Sequence, residues 1–174
     1  EDLDLDGGWW TIPAERAKNG LSHRVPLSTQ AQAVLNDYKS WLEARLPKIN
    51  EGRAKKHKPP REIRGWVFPA PEGREPMAWV QKAAERMRTA SGVQFRPHDL
   101  RRTAASLMTG SGISRLVVSK ILNHVETGVT AVYDRHSYDA EKRIALDAWG
   151  RQVEAILAAK SDGNVLTFQA KQAG

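Results

Sequence analysis

The chain opens with short runs of strand-forming residues and continues in longer runs whose apolar positions recur at helical spacing. Residues 1 to 8 end in Gly7-Gly8 and read as a strand end entering a turn. Trp9-Trp10-Thr11-Ile12 and His23-Arg24-Val25-Pro26-Leu27 are rich in strand formers. Between them lies Lys18-Asn19-Gly20. Asn-Gly suits the left-handed backbone of a tight turn, so the pattern predicts a β-hairpin with Lys18 near its tip. Thr29-Gln30-Ala31-Gln32 has the form of a capping box. Val34, Leu35, Tyr38, Trp41 and Leu42 then predict a helix to about Leu46, with Pro47 as its stop. Residues 48 to 65 show no period and many charges, with Pro59-Pro60 inside, which predicts a mobile solvated loop.

Trp66-Val67-Phe68-Pro69 reads as a short strand. Pro76 opens a predicted helix to about Thr89, with Trp79, Val80, Ala83 and Met87 inward and Ser91-Gly92 as its end. Pro97 starts the next, over His98 to Thr109, with Leu100, Ala104, Leu107 and Met108 toward a core. Gly110 and Gly112 bracket a turn, and Ser114 is the N-cap of a helix with Leu116, Val117, Ile121 and Leu122 on its apolar face. Asn123-His124 ends that helix. Thr127 caps another that presents Tyr133. Asp139 caps a long final helix, with Ile144, Leu146, Trp149, Val153, Ile156 and Leu157 over the core. The resulting class is α+β, mainly α-helical, with a small antiparallel hairpin near the N-terminus.

Composition narrows what such a fold does. The chain has 174 residues, with 27 Lys plus Arg against 20 Asp plus Glu, for a net charge of +7. That balance favours a polyanionic partner, and nucleic acid is the usual one. Cysteine is absent, which excludes disulfides and thiol chemistry and fits a reducing compartment. No apolar run reaches membrane-spanning length.

The candidate chemistry lies within residues 96 to 133. His98 and Arg101 are three apart on a predicted helix and therefore share a face. A guanidinium is a planar fork of donors suited to phosphate, and an imidazole adds a donor or carries a proton. His124 stands at a helix C-terminus, where the negative dipole end favours its protonated, donating form. Tyr133 follows nine residues later. Each piece alone is an ordinary surface residue; the fixed order is what carries information.

That order, His98-Asp99-Leu100-Arg101, then Leu122-Asn123-His124, then Tyr133, resembles the catalytic domain of the tyrosine recombinases, the phage-integrase family. The family often has Gly where this chain has Asn123. The resemblance covers roughly residues 1 to 160 and leaves 161 to 174 as a C-terminal tail. It implies Tyr133 as the nucleophile and Arg101, His98 and His124 as donors to the phosphate. Lys18, in a hairpin of the kind that carries the family's lysine, is implied as the general acid. Attack by the phenolate would give a 3′-phosphotyrosine and a free 5′-hydroxyl, which a second 5′-hydroxyl reverses. Preorganised donors meet the charge that builds on the phosphate, so the expected site uses no metal and no cofactor. Tyr138, fourteen residues past His124, is the rival nucleophile and reads as a packing residue. Arg16, Arg24, Arg53, Lys55, Lys56, Lys58 and Arg102 are candidate phosphate contacts.

The implied partners are double-stranded DNA and further copies of the chain. Those copies form a tetramer on DNA, with exchange of the C-terminal tail, in the cytoplasm of a bacterial host. A further family arginine, and a DNA-clamping domain, would fall ahead of Glu1. The chain is therefore expected to be most of a catalytic domain that cleaves poorly alone. Three rival readings remain, of which a capped, non-catalytic interaction domain is the blandest and explains least. A type IB topoisomerase shares the chemistry but relaxes supercoils without joining two sites. A helix–turn–helix binding module accounts for residues 103 to 123 and the charge, but gives Lys18 and Tyr133 no role.

Overall fold

The computed structural model describes residues 2–62, 65–70, 73, 75–78, 80–125 and 136–161. Three antiparallel strands, β1 (Leu3–Asp4), β2 (Trp9–Ile12) and β3 (His23–Pro26), form one sheet in that order. Trp9 faces Pro26 and Ile12 faces His23 across β2 and β3, while Leu3 pairs with Trp10 across β1 and β2. Five helices are described: α1 (Thr29–Ala54), α2 (Gln81–Ser91), α3 (Pro97–Gly110), α4 (Arg115–Ile121) and α5 (Asp139–Ser161). The α+β class expected from the sequence is what the chain adopts. Among the described residues no helix is long and apolar enough to cross a membrane.

The hairpin forms as predicted. A short 3₁₀ turn, Ala14–Arg16, intervenes before the Asn-Gly turn. The α1 cap differs from prediction: Ser28, not Thr29, is the N-cap, and its hydroxyl accepts from the Ala31 N–H at 3.2 Å. Pro47 does not stop α1, which runs on to Ala54. A proline removes one N–H and frees the carbonyl four residues back. Here Glu43 and Pro47 are both exposed, so water can serve that carbonyl. The extension is also tied from outside. Asn50 accepts from the Arg61 N–H at 2.7 Å and donates to the Arg61 carbonyl at 3.1 Å, and Arg53 donates to the Pro59 carbonyl at 2.7 Å. The predicted free loop after Pro47 is thus a helical turn or two followed by a segment strapped back onto it.

Residues 66 to 69 do not form a strand. An isolated bridge joins Pro69 to Pro76, and Ala70 N–H to Glu75 carbonyl and Met77 N–H to Phe68 carbonyl bonds close a small loop around it. Pro76 is held in that bridge, so α2 begins only at Gln81. Gly92, in the left-handed conformation at φ 69°, ends α2 where the Ser-Gly pair predicted.

Among the described residues, Pro26, Leu27, Leu42, Ala84, Met108, Val118 and Ala145 are buried apolar side chains. Met108 is only 2% exposed and anchors α3 as expected, but Leu100 is 56% exposed and lies off the core. On α4 the buried residue is Val118, whereas Leu116 is exposed. On α2 the buried residue is Ala84, with Val80 and Met87 exposed. The inward face of α5 is mostly the predicted one, with Leu146, Trp149, Val153 and Ile156 half-buried. Ile144 and Leu157 are exposed, and the buried positions are Lys142, Ala145 and Gly150. Two anchors fix that register. Lys142 Nζ reaches the Arg24 carbonyl at 2.6 Å and Asp139 at 2.9 Å. At Gly150, α5 passes so close to α1 that an added Cβ would collide with the Gln30 side chain.

The two tryptophans of β2 go to opposite sides. Trp9 is stacked between two guanidinium groups, Arg24 at 3.7 Å and Arg143 at 4.3 Å from its ring centroid. Trp10 lines an open apolar groove of about 780 Å³ with Leu35, Tyr38, Trp66, Phe68 and Met77.

Candidate active site at the C-terminal end of helix α4

The last carbonyls of a helix have no partner within it. At the end of α4 three successive carbonyls are served by side chains from three different elements. His23 of β3 donates from Nε2 to the Ile121 carbonyl at 3.1 Å. Arg101 of α3 donates from Nη2 to the Leu122 carbonyl. Asn19, from the turn between β2 and β3, donates from Nδ2 to the Asn123 carbonyl at 3.4 Å and to the Asn123 side-chain oxygen at 3.1 Å. The chain then turns through Asn123 at φ 54°, a left-handed conformation that Asn tolerates better than most side chains.

This turn delivers His124 to Arg101. The Arg101 Nη2 lies 3.4 Å from His124 Nε2. A guanidinium carries donors only. The contact sets the two cationic side chains side by side at the end of α4. Arg101 and His124 are both exposed, so the pair faces solvent rather than the core.

His98 is exposed on the first turn of α3, one turn before Arg101. Asp99 fixes that turn by accepting from the Arg96 N–H at 2.8 Å. Lys18 is exposed, and the Ala17 carbonyl accepts from the Gly20 N–H at 3.0 Å around it. The Asn19–Asn123 bond brings this turn to the end of α4. The helix expected from Thr127, Tyr133 itself and the tail from 162 to 174 lie outside the described residues.

The candidate phosphate contacts divide. Arg16 is ion-paired with Asp2 and lies 5.8 Å from the Trp66 ring. Arg24 pairs with Asp139 at 2.9 Å besides stacking on Trp9. Lys55 pairs with Glu51 at 2.8 Å, and Arg53 is strapped to Pro59. Lys56, Lys58 and Arg102 are exposed. Tyr138, the rival nucleophile, is half-buried at φ 56°, edge-on to His136 at 4.6 Å and under Lys120 at 4.8 Å. That is the packing role expected of it.

Burial is the main cause that lowers the pKa of His23 below its ordinary 6.5. The Ile121 carbonyl partly offsets this, and the charges of Lys142 and Arg101 add to it. Burial opposes ionisation of Asp139, but the hydrogen bonds and charges of Lys142 and Arg24 outweigh it and hold the carboxyl below 3.8. Sequence pattern assigns no role in the site to Asn19, His23 or Lys142, and marks Asn123 only as part of the motif. An Asn immediately before the His at a helix end, where left-handed backbone is common, was the one readable signal.

A family model described as the phage integrase family matches residues 1–140. Among curated proteins, the "Prophage integrase IntA" of Escherichia coli (strain K12) is 27% identical over 173 residues, covering 98% of this chain and 37% of its own length. The "Putative protein IntB" of the same strain is 29% identical over 163 residues, covering 85% of this chain and 37% of its own length. The chain thus spans little more than a third of these relatives. No solved structure matches it.

Proposed function

The chain belongs to the phage integrase family, and from that premise we propose that it is the catalytic part of a tyrosine-type site-specific DNA recombinase. It cleaves one DNA strand through Tyr133 and rejoins it to another. The observation that carries this reading is the convergence on the end of α4, where Arg101 meets His124 and the turn holding Lys18 is pinned by Asn19. The names of the two relatives, one a prophage integrase, point to the same class.

In this mechanism the Tyr133 oxygen attacks phosphorus in line, forming one P–O bond as the bond to the 5′ oxygen breaks. Arg101, His98 and His124 surround the non-bridging oxygens. His124 donates a ring N–H to one of these oxygens. Such donors typically contribute about 3–4 kcal/mol each to the transition state. Lys18 gives its proton to the departing 5′ oxygen. Residues 1 to 160 form the catalytic unit. The tail from 161 links neighbouring copies in a tetramer on double-stranded DNA.

The test is covalent trapping on a nicked DNA substrate. Tyr133→Phe abolishes the adduct in the whole protein while DNA binding stays nearly intact. Loss of the adduct in Tyr138→Phe, with Tyr133→Phe unaffected, would sink the assignment. Adduct formation followed by supercoil relaxation without joining of two sites would favour a topoisomerase. Binding falls steeply with salt, as it does when phosphate contacts release counterions.

A further inference from the structure

Asn19 does two things at once. Its side-chain oxygen accepts from the Leu21 N–H at 3.1 Å, which holds its own turn. Its amide nitrogen points the other way and crosses to Asn123, 104 residues along the chain, at 3.1 Å. The turn is stiff, because the Gly20 N–H closes onto the Ala17 carbonyl at 3.0 Å and Gly20 takes φ 70°. Lys18 sits inside that closed turn, directly before Asn19. Fixing Asn19 therefore fixes the base of the Lys18 side chain. The far end of the bond is equally constrained. Asn123 adjoins His124, and its left-handed backbone is the step that turns His124 toward Arg101.

Lys18 itself is exposed. A lysine stem has four rotatable bonds, and an exposed one finds a reacting atom only if its base is held within reach. A glycine at position 123 would supply the same backbone turn but no side-chain oxygen for Asn19. Asparagine supplies both.

We propose that Asn19 is a positioning residue: through its bond to Asn123 it sets Lys18 in register with the Arg101–His124 pair. The proposal rests on the recombinase reading of the site. Asn19 does not touch DNA in this role. It acts on the step in which the P–O5′ bond breaks and the Lys18 ammonium proton passes to the leaving oxygen. A sulfur in that position leaves as a thiolate and needs no such proton.

The experiment measures adduct formation by the whole protein on two DNA substrates, one with the ordinary bridging oxygen and one with sulfur at the scissile 5′ position. Asn19→Ala and Asn123→Gly each slow the oxygen substrate by about tenfold or more, as a modest misplacement of a catalytic group does. Each leaves the sulfur substrate within about twofold of the parent, because that reaction does not use the general acid. The double variant is no slower than Asn19→Ala, since Asn123→Gly removes only the side-chain acceptor and, once Asn19 is gone, neither that oxygen nor the Asn123 carbonyl has its donor. Asn123→Gly keeps the left-handed backbone and does not touch the turn, so it carries the test if Asn19→Ala folds poorly. Equal slowing on both substrates, or multiplied defects in the double variant, overturns the positioning role while leaving the recombinase reading standing. A parent protein that forms no adduct even on the sulfur substrate overturns that reading, and this proposal with it.

Discussion

The end of α4 and the groove beside α1 are built by opposite means. At α4, polar side chains from β3, α3 and the hairpin turn reach across to backbone carbonyls. Along α1, aromatic side chains gather without closing: Tyr38 stacks on Trp41 at 5.9 Å and meets Phe68 at 5.2 Å, yet Trp41 and Phe68 stay about half exposed. The first arrangement is directional. Each donor is aimed at particular acceptors, and moving one element by an ångström breaks a bond. The second is tolerant, because apolar contact varies slowly with displacement. Preorganised chemistry needs the first kind of construction. The site is therefore placed by hydrogen bonds at a helix end, and the small apolar core around Met108 serves mainly to hold α3 under it.

The contrast is broken most sharply at Arg101. Arg101→Ala removes both the proposed phosphate donor and the partner of the Leu122 carbonyl. Covalent adduct formation in the whole protein should fall about 10²–10³-fold. Arg101→Lys should recover little of it, because an ammonium lacks the planar fork. A loss of less than tenfold in single-turnover cleavage would show that the end of α4 is ordinary structure.

Lys142→Met tests whether the polar side also holds the fold. The side chain is 5% exposed and bridges the Arg24 carbonyl and Asp139. Its loss leaves the part-buried Arg24 carbonyl without this donor, at a cost of about 1 kcal/mol. The melting temperature is the readout, and an unchanged value would mean that α5 is held by its apolar contacts alone.

Acid sharpens the contrast further. The pKa of His23 is lowered in the folded chain, so below about 6.5 the unfolded chain takes up a proton that the folded chain refuses. Stability from His23 is whole above that pH and is lost on acidification through the folded value. Asp139 behaves in the same sense, and its contribution is lost only below about 3.8. His23→Gln should flatten the first decline in urea-unfolding free energy and leave the second. A decline near neutral pH that persists in the variant would assign it elsewhere.

The smallest effect belongs to the groove. Phe68→Ala removes one half-exposed ring and should cost about 0.5 kcal/mol. A much larger loss in the melting temperature would show that the groove is part of the core after all.

What the sequence made legible follows the same division. Strong local signals were read correctly: the Asn-Gly turn, Pro97 at the start of α3, Ser114 as an N-cap and Gly92 as a helix end. The order of Arg101, Asn123 and His124 was also readable. Three kinds of feature were not. Apolar periodicity gave most of the α5 face but not Lys142 and Gly150, whose burial comes from contacts made to distant elements. Pro47 was read by propensity alone, whereas its carbonyl partner is free to be hydrated and Asn50 clasps the next turn. The side chains that pin the site come from residues as far apart as Asn19 and Asn123, and no local pattern pairs them.

The unbroken passage of α1 through Pro47 has a consequence for how the basic cluster meets its partner. Arg53, Lys55, Lys56 and Lys58 stand at the end of a rod strapped down at Asn50 and Pro59, not on a free coil. Ordering a free segment costs about 1–2 kcal/mol per residue in lost backbone freedom. Here folding has already taken most of that loss. Engagement of a polyanion by this arm should therefore be almost purely ionic, steep in salt but with little change in heat capacity, the calorimetric mark that a segment folding on contact would leave.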